Sequence, residues 1–120
     1  MKRALVCGAG GFIGGRLALY LKSKGYWVRG VDLKEHDFLP LREQVDEFII
    51  GDLRDPVVVA QVIEEGVDEI YQLAADMGGA GFIFTGENDA DIMHNSATIN
   101  LNVAHEAAKK GAKRVFYSSS

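Results

Sequence analysis

Three glycines near the start of the chain lie at a spacing that suits the binding of phosphate groups. Gly8, Gly11 and Gly14 form the pattern G-x-x-G-x-x-G between a short apolar run and a stretch of helical periodicity. Glycine permits a tight turn and a close backbone approach, and the free N–H groups of a helix start bind phosphate oxygens. The spacing differs from G-x-G-x-x-G, but a strand before it and a helix after it predict the same chemistry, binding of a dinucleotide pyrophosphate. The alternative is a glycine-rich turn that binds no ligand.

An aspartate follows these glycines at a distance that suits recognition of a ribose. Asp32 ends the second apolar run, 18 residues after Gly14. A carboxylate there accepts hydrogen bonds from both hydroxyls of an adenosine ribose and repels a 2′-phosphate, which favours NAD over NADP. Arg29 and Lys34 are close in sequence and leave NADP open as a second possibility. A turn at Asp32 without a ligand is the third.

A second aspartate follows the next apolar run. Asp52 and Leu53 come directly after it, within Gly-Asp-Leu-Arg-Asp. Because the carboxyl ends of parallel strands meet at one edge of a sheet, we expect Asp52 near Asp32, where its side chain would hold the adenine amino group. By spacing alone, a solvated turn explains this segment nearly as well.

The elements that must position these residues alternate between apolar runs and helical patterns. Strands are predicted at 4–7, 26–32, 47–50, 67–73 and 115–117, and helices at 12–24, 56–65 and 92–110. The run Val57-Val58-Val59 has strand propensity, but the preceding Asp55 and Pro56 form a helix start signal and favour a helix. Residues 33–46 and 76–89 are predicted to be loops.

This order predicts an α/β fold. Alternating strands and helices imply a parallel sheet with right-handed crossovers, so we expect a Rossmann-type doubly wound sheet of about five strands in three α/β/α layers. A chain of 120 residues is long enough for one such domain, spanning 1–120.

Composition excludes several classes of protein. The net charge of −4 argues against nucleic acid as an electrostatic partner. The apolar stretches are too short to cross a membrane, so we expect no membrane partner. One cysteine allows no disulfide framework, and the three histidines lack paired ligand spacing, so no metal is predicted. A lone thiol and the lack of a signal-peptide pattern suit the cytoplasm.

Together these residues resemble the extended short-chain dehydrogenase/reductase family, the NAD-dependent epimerases and dehydratases of nucleotide sugars. The matching pieces run from end to end: Gly8, Gly11, Gly14, Asp32, Gly51-Asp52-Leu53, Leu73-Ala74-Ala75 and Ser118-Ser119-Ser120. Within the family, the segment 73–83 is most similar to the branch that epimerises GDP-mannose at carbons 3 and 5. That branch oxidises the sugar transiently at C4 with bound NAD, lets a base remove the neighbouring protons, and returns the hydride.

The resemblance implies a role for each matching residue. Phe12 and Ile13 would present backbone groups to the pyrophosphate, and Leu73 and Ala75 would line the nicotinamide half of NAD. The resemblance also implies a nucleotide sugar as substrate, a GDP-linked hexose in this branch, and a possible homodimer.

Four residues would meet the sugar nucleotide in such an enzyme. Met77, Gly78 and Gly79 would lie between cofactor and sugar, and Ser120 matches the family's catalytic Ser or Thr, which polarises the sugar oxygen. A 4,6-dehydratase or 4-reductase of the same family shares nearly all of these features and stays open.

The family's general base is absent from this chain. It is a tyrosine in Tyr-x-x-x-Lys, and the one match here, Tyr20 with Lys24, falls within the first predicted helix, away from the strand ends. Cys7, in the first strand, is expected to be a buried apolar residue rather than an acid/base group. Ser96 stands where many members carry an asparagine. We therefore expect the N-terminal cofactor-binding part of a longer enzyme, inactive by itself. A non-catalytic NAD(P)-binding module and a nucleotide-free structural protein are the alternatives.

Overall fold

Strands and helices alternate along the whole of the described chain. The computed structural model describes residues 1–35, 40–74 and 89–117. Within these ranges the strands are β1 Arg3–Cys7, β2 Trp27–Asp32, β3 Glu47–Ile50, β4 Glu69–Gln72 and β5 Arg114–Tyr117. The helices are α1 Phe12–Ser23, α2 Leu41–Gln44, α3 Pro56–Val62 and α4 Asp89–Lys110. None of these helices is both long and apolar enough to cross a bilayer.

The strands form one parallel sheet in the order β3-β2-β1-β4-β5. β1 is the central strand, and its last residue, Cys7, is paired with Val31 on one side and Gln72 on the other. The chain winds from β1 outward to β3 and then returns to β4, so the winding direction reverses beside β1. In open α/β sheets the ligand crevice lies at the carboxyl edge, at this reversal.

Helices cover both faces of the sheet, so the predicted three-layer arrangement is confirmed. Side chains of β1 point alternately into two apolar cores, and Ala4, Leu5, Val6 and Cys7 are all fully buried. One core packs α3 and α4 against the sheet, and the other packs α1 and α2. Burial on both faces explains why the first strand is a continuous apolar run rather than an alternating one.

The predicted helix start at Asp55 is confirmed. Its side chain accepts a hydrogen bond of 2.9 Å from the backbone N–H of Val57, and proline occupies the first turn. The helical interpretation of the valine run is therefore right, but α3 ends at Val62 rather than at 65. Its last carbonyls are bound from another helix, because Lys110 Nζ of α4 donates to the carbonyl of Ile63 at 2.7 Å.

A predicted loop and the predicted start of the last helix were also wrong. The crossover at 33–46, expected to be a loop, contains the single turn α2, whose Leu41 is buried in the core beside α1. One buried residue in a turn of four gives no apolar period, so the pattern carried no signal. α4 begins at Asp89, three residues before the predicted start. Most of the predicted 76–89 loop falls outside the described residues.

Candidate nucleotide-binding site

The glycine turn crosses the carboxyl edge of the sheet between β1 and α1. The backbone N–H groups of Gly8 and Ala9 both donate to the carbonyl of Val31, at 2.8 and 3.2 Å. Gly11 N–H donates to the carbonyl of Gly8 at 3.0 Å and closes the turn. The turn is therefore held on the end of β2, the strand that carries Asp32.

The start of α1 has the features of an anion site. Gly11 is its N-cap residue, with extended backbone (φ −84°), and makes no side-chain cap hydrogen bond. The first turn holds no acidic side chain. Phe12 and Ile13 follow, 66 % and 71 % exposed, which is unusual for large apolar side chains. The first N–H groups of the helix and the positive end of its dipole suit a phosphate here.

Two of the predicted glycines are required by close contacts. Gly8 has φ +87°, and a Cβ there would lie 2.8 Å from the backbone nitrogen of Ala74. A Cβ on Gly14 would overlap the carbonyl oxygen of Gly8 and lie 2.8 Å from its carbonyl carbon. These glycines let α1 start directly against the turn, and let the end of β4 lie against it on the other side.

Asp32 lies beside the turn, as predicted. Its Oδ2 accepts a hydrogen bond of 2.8 Å from the N–H of Gly10, and its Oδ1 accepts one of 2.6 Å from the N–H of Leu33. The backbone carbonyl of Asp32 accepts from Gly51 N–H at 2.9 Å, which brings the turn after β3 to the same edge. The carboxylate is therefore fixed in direction by two backbone donors.

Asp52 is engaged by its own neighbour. Arg54 donates from Nη2 to Asp52 Oδ2 at 2.6 Å and from Nε to Oδ1 at 3.0 Å. Hydrogen bonding from Arg54 lowers the pKa of the Asp52 carboxyl below its usual value. Leu53 is buried, with 4 % exposure, in the core under α3 and α4, so any contribution of Leu53 to adenine binding falls to its backbone.

Leu73 follows β4 on the opposite side of the turn. Its backbone N–H donates to the carbonyl of Cys7 at 2.9 Å, and its side chain is partly buried against the core beside α1. The order along the edge is thus the Asp52 turn, Asp32, the glycine turn and Leu73. The predicted residues that the structure describes therefore lie side by side along the carboxyl edge of the sheet.

The remaining predicted site residues lie outside the described part of the chain. They are Ala75, Met77, Gly78, Gly79 and Ser120. Their roles next to nicotinamide and sugar stay predictions.

The basic residue Arg29 is not available to a 2′-phosphate. Its side chain is only 4 % exposed and pairs with Glu47 at 2.8 Å and with Glu64 at 3.2 Å. Its Nη1 also donates to the carbonyl of Val62, at the end of α3. The suggestion that Arg29 supports NADP is therefore wrong, because the guanidinium is committed to the buried junction of β2, β3 and α3.

The Tyr20–Lys24 match to Tyr-x-x-x-Lys does not belong to the site. Tyr20 lies eight residues into α1 from Phe12, which is about 12 Å along the helix axis from the glycine turn. Its ring is 57 % exposed, with the Lys24 ammonium 5.5 Å from the ring centroid. The two side chains form a surface cation–π pair.

Several residues at this edge escaped the sequence analysis. Gly10 binds Asp32 and admits no side chain, because a Cβ there would overlap the carbonyl oxygen of Lys34. Gly10 lies outside the G-x-x-G-x-x-G spacing, so the motif does not single it out. Gln72 binds the backbone of Ala74 and the side chain of Asn100, and Asn102 binds the carbonyls of Leu53 and Arg54. A buried polar residue at the end of an apolar strand, as Gln72 is, was the signal available.

Cys7 is a buried thiol, as predicted. It is fully buried, and burial, followed by the negative charge of Asp32, raises the pKa of its thiol from 9.0 to about 12. Across the described residues no group of three or more His, Cys, Asp or Glu side chains is arranged to hold a metal ion.

The raised pKa of Cys7 predicts a loss of stability in alkali. The unfolded thiol loses its proton near pH 9 and the folded one does not, so the unfolded state gains stability as pH rises. We expect the free energy of unfolding to fall by up to about 1.4 kcal/mol per pH unit from this group between pH 9 and its folded pKa. Urea unfolding from pH 7 to 11 measures it. Cys7→Ala is the control, and equal pH slopes in the two proteins would contradict the assignment.

The fold and this edge identify the class of protein. The sequence matches the NAD dependent epimerase/dehydratase family over residues 4–120, and the chain belongs to that family. It is 42 % identical over 115 residues to a GDP-mannose 3,5-epimerase of Arabidopsis thaliana, an alignment that covers 96 % of this chain and 30 % of that protein. The chain thus spans about a third of the length of this relative.

Solved structures agree on the fold. A UDP-glucose 4-epimerase of Thermotoga maritima, determined with UDP-glucose, superposes with a TM-score of 0.84 over 99 % of this chain and 38 % of that one, at 23 % identity. A UDP-glucose 4-epimerase of Stenotrophomonas maltophila, determined with bound NAD, gives a TM-score of 0.78 at 22 % identity, over all of this chain and 37 % of that one. The predicted Rossmann-type fold is confirmed.

Proposed function

We propose that this chain is the NAD-binding part of a nucleotide-sugar epimerase of the GDP-mannose 3,5-epimerase type. The observation that carries the proposal is the start of α1, which has no side-chain cap and lies beside the fixed carboxylate of Asp32. A pyrophosphate on those N–H groups would bring an adenosine ribose toward β2, within reach of Asp32. The carboxylate would then bind the ribose hydroxyls and reject NADP.

The described residues fit the cofactor. The cradle at Gly8 and Gly14 has no room for a Cβ, so the backbone itself forms the surface that the phosphates would meet. When bound, NAD would supply the hydride-transfer chemistry for a transient oxidation of the sugar at C4. The residues of this chain would bind and orient it, while Met77, Gly78, Gly79 and Ser120 would meet the sugar.

The GDP-linked hexose is favoured by the segment 73–83 and by the 42 % identity to the plant enzyme. A 4,6-dehydratase or 4-reductase remains the second candidate, since it would use the same NAD site. We expect the enzyme to act as a cytoplasmic homodimer.

Isothermal titration with NAD tests the cofactor. We expect wild type to bind NAD and Gly11→Asp to lose binding, because a carboxylate at the N-cap would occupy the first N–H groups and repel the pyrophosphate. The variant should fold at least as well as wild type, since aspartate is a better N-cap than glycine. A wild type that ignores millimolar NAD, or a Gly11→Asp protein that binds it equally well, would refute the proposal.

The same preparation tests turnover. With NAD and GDP-mannose, we expect the 120-residue chain to give no epimerised sugar above the Gly11→Asp background, because it contains no suitably placed Tyr-x-x-x-Lys base. Proton NMR of the sugar nucleotide measures the product. A deoxy keto sugar would favour the dehydratase, and an epimer would mean that this chain holds its own base.

A further inference from the structure

The backbone just after β4 is hydrogen-bonded to a buried side-chain amide. Gln72 is 2 % exposed, and both ends of its side-chain amide bind one residue. Its Nε2 donates to the carbonyl of Ala74 at 2.7 Å, and its Oε1 accepts from the N–H of Ala74 at 3.2 Å. Ala74 lies against Gly8, whose added Cβ would be 2.8 Å from the Ala74 nitrogen. Gln72 therefore sets where the β4 end meets the glycine turn.

The direction of that amide is set from α4. The Nε2 of Gln72 also donates to Oδ1 of Asn100, at 2.9 Å. Each of the two Nε2 hydrogens then has an acceptor, and only one orientation of the Gln72 amide satisfies both Asn100 and Ala74. Without the Asn100 acceptor, one buried Nε2–H of Gln72 would have no hydrogen-bond partner. That cost favours a rotation of the Gln72 amide and the loss of its bonds to Ala74.

A second amide of α4 binds the backbone on the β3 side of the glycine turn. Asn102 donates from Nδ2 to the carbonyl of Leu53 at 3.1 Å and to that of Arg54 at 3.2 Å. These carbonyls belong to the turn that carries Asp52, on the β3 side. One helix thus binds the turn after β3 directly through Asn102, and it reaches the residues after β4 indirectly, through the bond between Asn100 and Gln72.

We propose that Asn100 and Asn102 are positioning residues for the two halves of the bound dinucleotide. The inference rests on the proposed NAD site, in which Asp32 places the adenosine on the side of β2 and β3. The rest of the dinucleotide then lies across the glycine turn, toward Ala74. Asn102 sets the adenosine half through the Asp52 turn, and Asn100 sets the other half through Gln72 and Ala74.

Binding of whole and half ligands separates these roles. We expect Asn100→Leu to weaken NAD binding roughly threefold to tenfold, the effect of about one hydrogen bond, and to leave the affinity for AMP unchanged. Asn102→Leu should weaken the affinities for AMP and for NAD by the same factor. Asn100→Asp keeps the oxygen that accepts from Gln72, on an exposed residue, and should restore NAD binding. A merely structural role of α4 would weaken both ligands in both leucine variants, and that result would overturn the proposal.

Amide hydrogen exchange gives a readout that needs no ligand. Asn100→Leu should speed exchange at Ala74, whose N–H donates to Gln72, while the core amides of Val6 and Ile70 keep the wild-type rate. Unchanged exchange at Ala74 would overturn the coupling. If Asn100→Leu speeds exchange at Ala74 but the wild-type protein binds neither AMP nor NAD, the proposed cofactor fails and the coupling through Gln72 stands.

Discussion

Replacing Gly14 with alanine is expected to abolish detectable NAD binding and to lower the free energy of unfolding by roughly 1–3 kcal/mol. The new Cβ would overlap the carbonyl oxygen of Gly8 and lie 2.8 Å from its carbon, and both are backbone atoms of a hydrogen-bonded turn. α1 must then move away from the turn. Displacing two N–H donors from a phosphate removes roughly 1.5–3 kcal/mol each, which is at least roughly a 100-fold loss of affinity.

Gly11→Ala is the matched control for this prediction. The nearest atom to its Cβ, Gly8 O, is 3.3 Å away, and the backbone at Gly11 (φ −84°) is open to alanine. We expect its stability to stay within about 1 kcal/mol of wild type. Urea unfolding measures the free energy of unfolding of both variants, and titration with NAD measures their affinity. A Gly14→Ala protein with wild-type stability and affinity would show that the turn relaxes easily and is not the cradle.

The order of the elements could be predicted because β1 is buried on both faces. Its apolar run needs helices above and below, and the alternation of runs and helical periods leaves few topologies. Helix ends were predicted well where a side chain or proline marks them, as at Asp55. A whole helix was missed where the deciding contact is remote, because α2 is recognised only once Leu41 packs beside α1, and that contact leaves no period in the sequence.

The site shows the same division between local and remote information. Glycine spacing and a carboxylate at a strand end are local patterns, so Gly8, Gly14 and Asp32 could be named in advance. Arg29 illustrates the opposite case, because its partners Glu47 and Glu64 are distant in the chain and engage the buried guanidinium in ion pairs. Gln72 likewise becomes informative only when Asn100 is beside it.

Replacing Asp32 with alanine is expected to weaken the affinity for NAD by roughly 10- to 100-fold, the effect of losing hydrogen bonds to a charged acceptor. The same change should raise the affinity for NADP relative to NAD, because it removes a negative charge from the position of a 2′-phosphate. NADP should not reach the wild-type affinity for NAD, since Arg29, one of the two basic residues close to Asp32 in sequence, is engaged by Glu47 and Glu64. Parallel titrations with the two dinucleotides measure the preference.

A second carboxylate separates this effect from general destabilisation. Asp46 also accepts from a backbone N–H, that of Val28 at 2.7 Å, and pairs with Lys22, but at the opposite edge of the sheet. Asp46→Asn should lower stability and leave the ratio of NAD to NADP affinity unchanged. If Asp32→Ala keeps the wild-type ratio, Asp32 only shapes the turn through Gly10 and Leu33. If Asp46→Asn shifts the ratio equally, the preference arises from net charge rather than from a carboxylate aimed at the ribose.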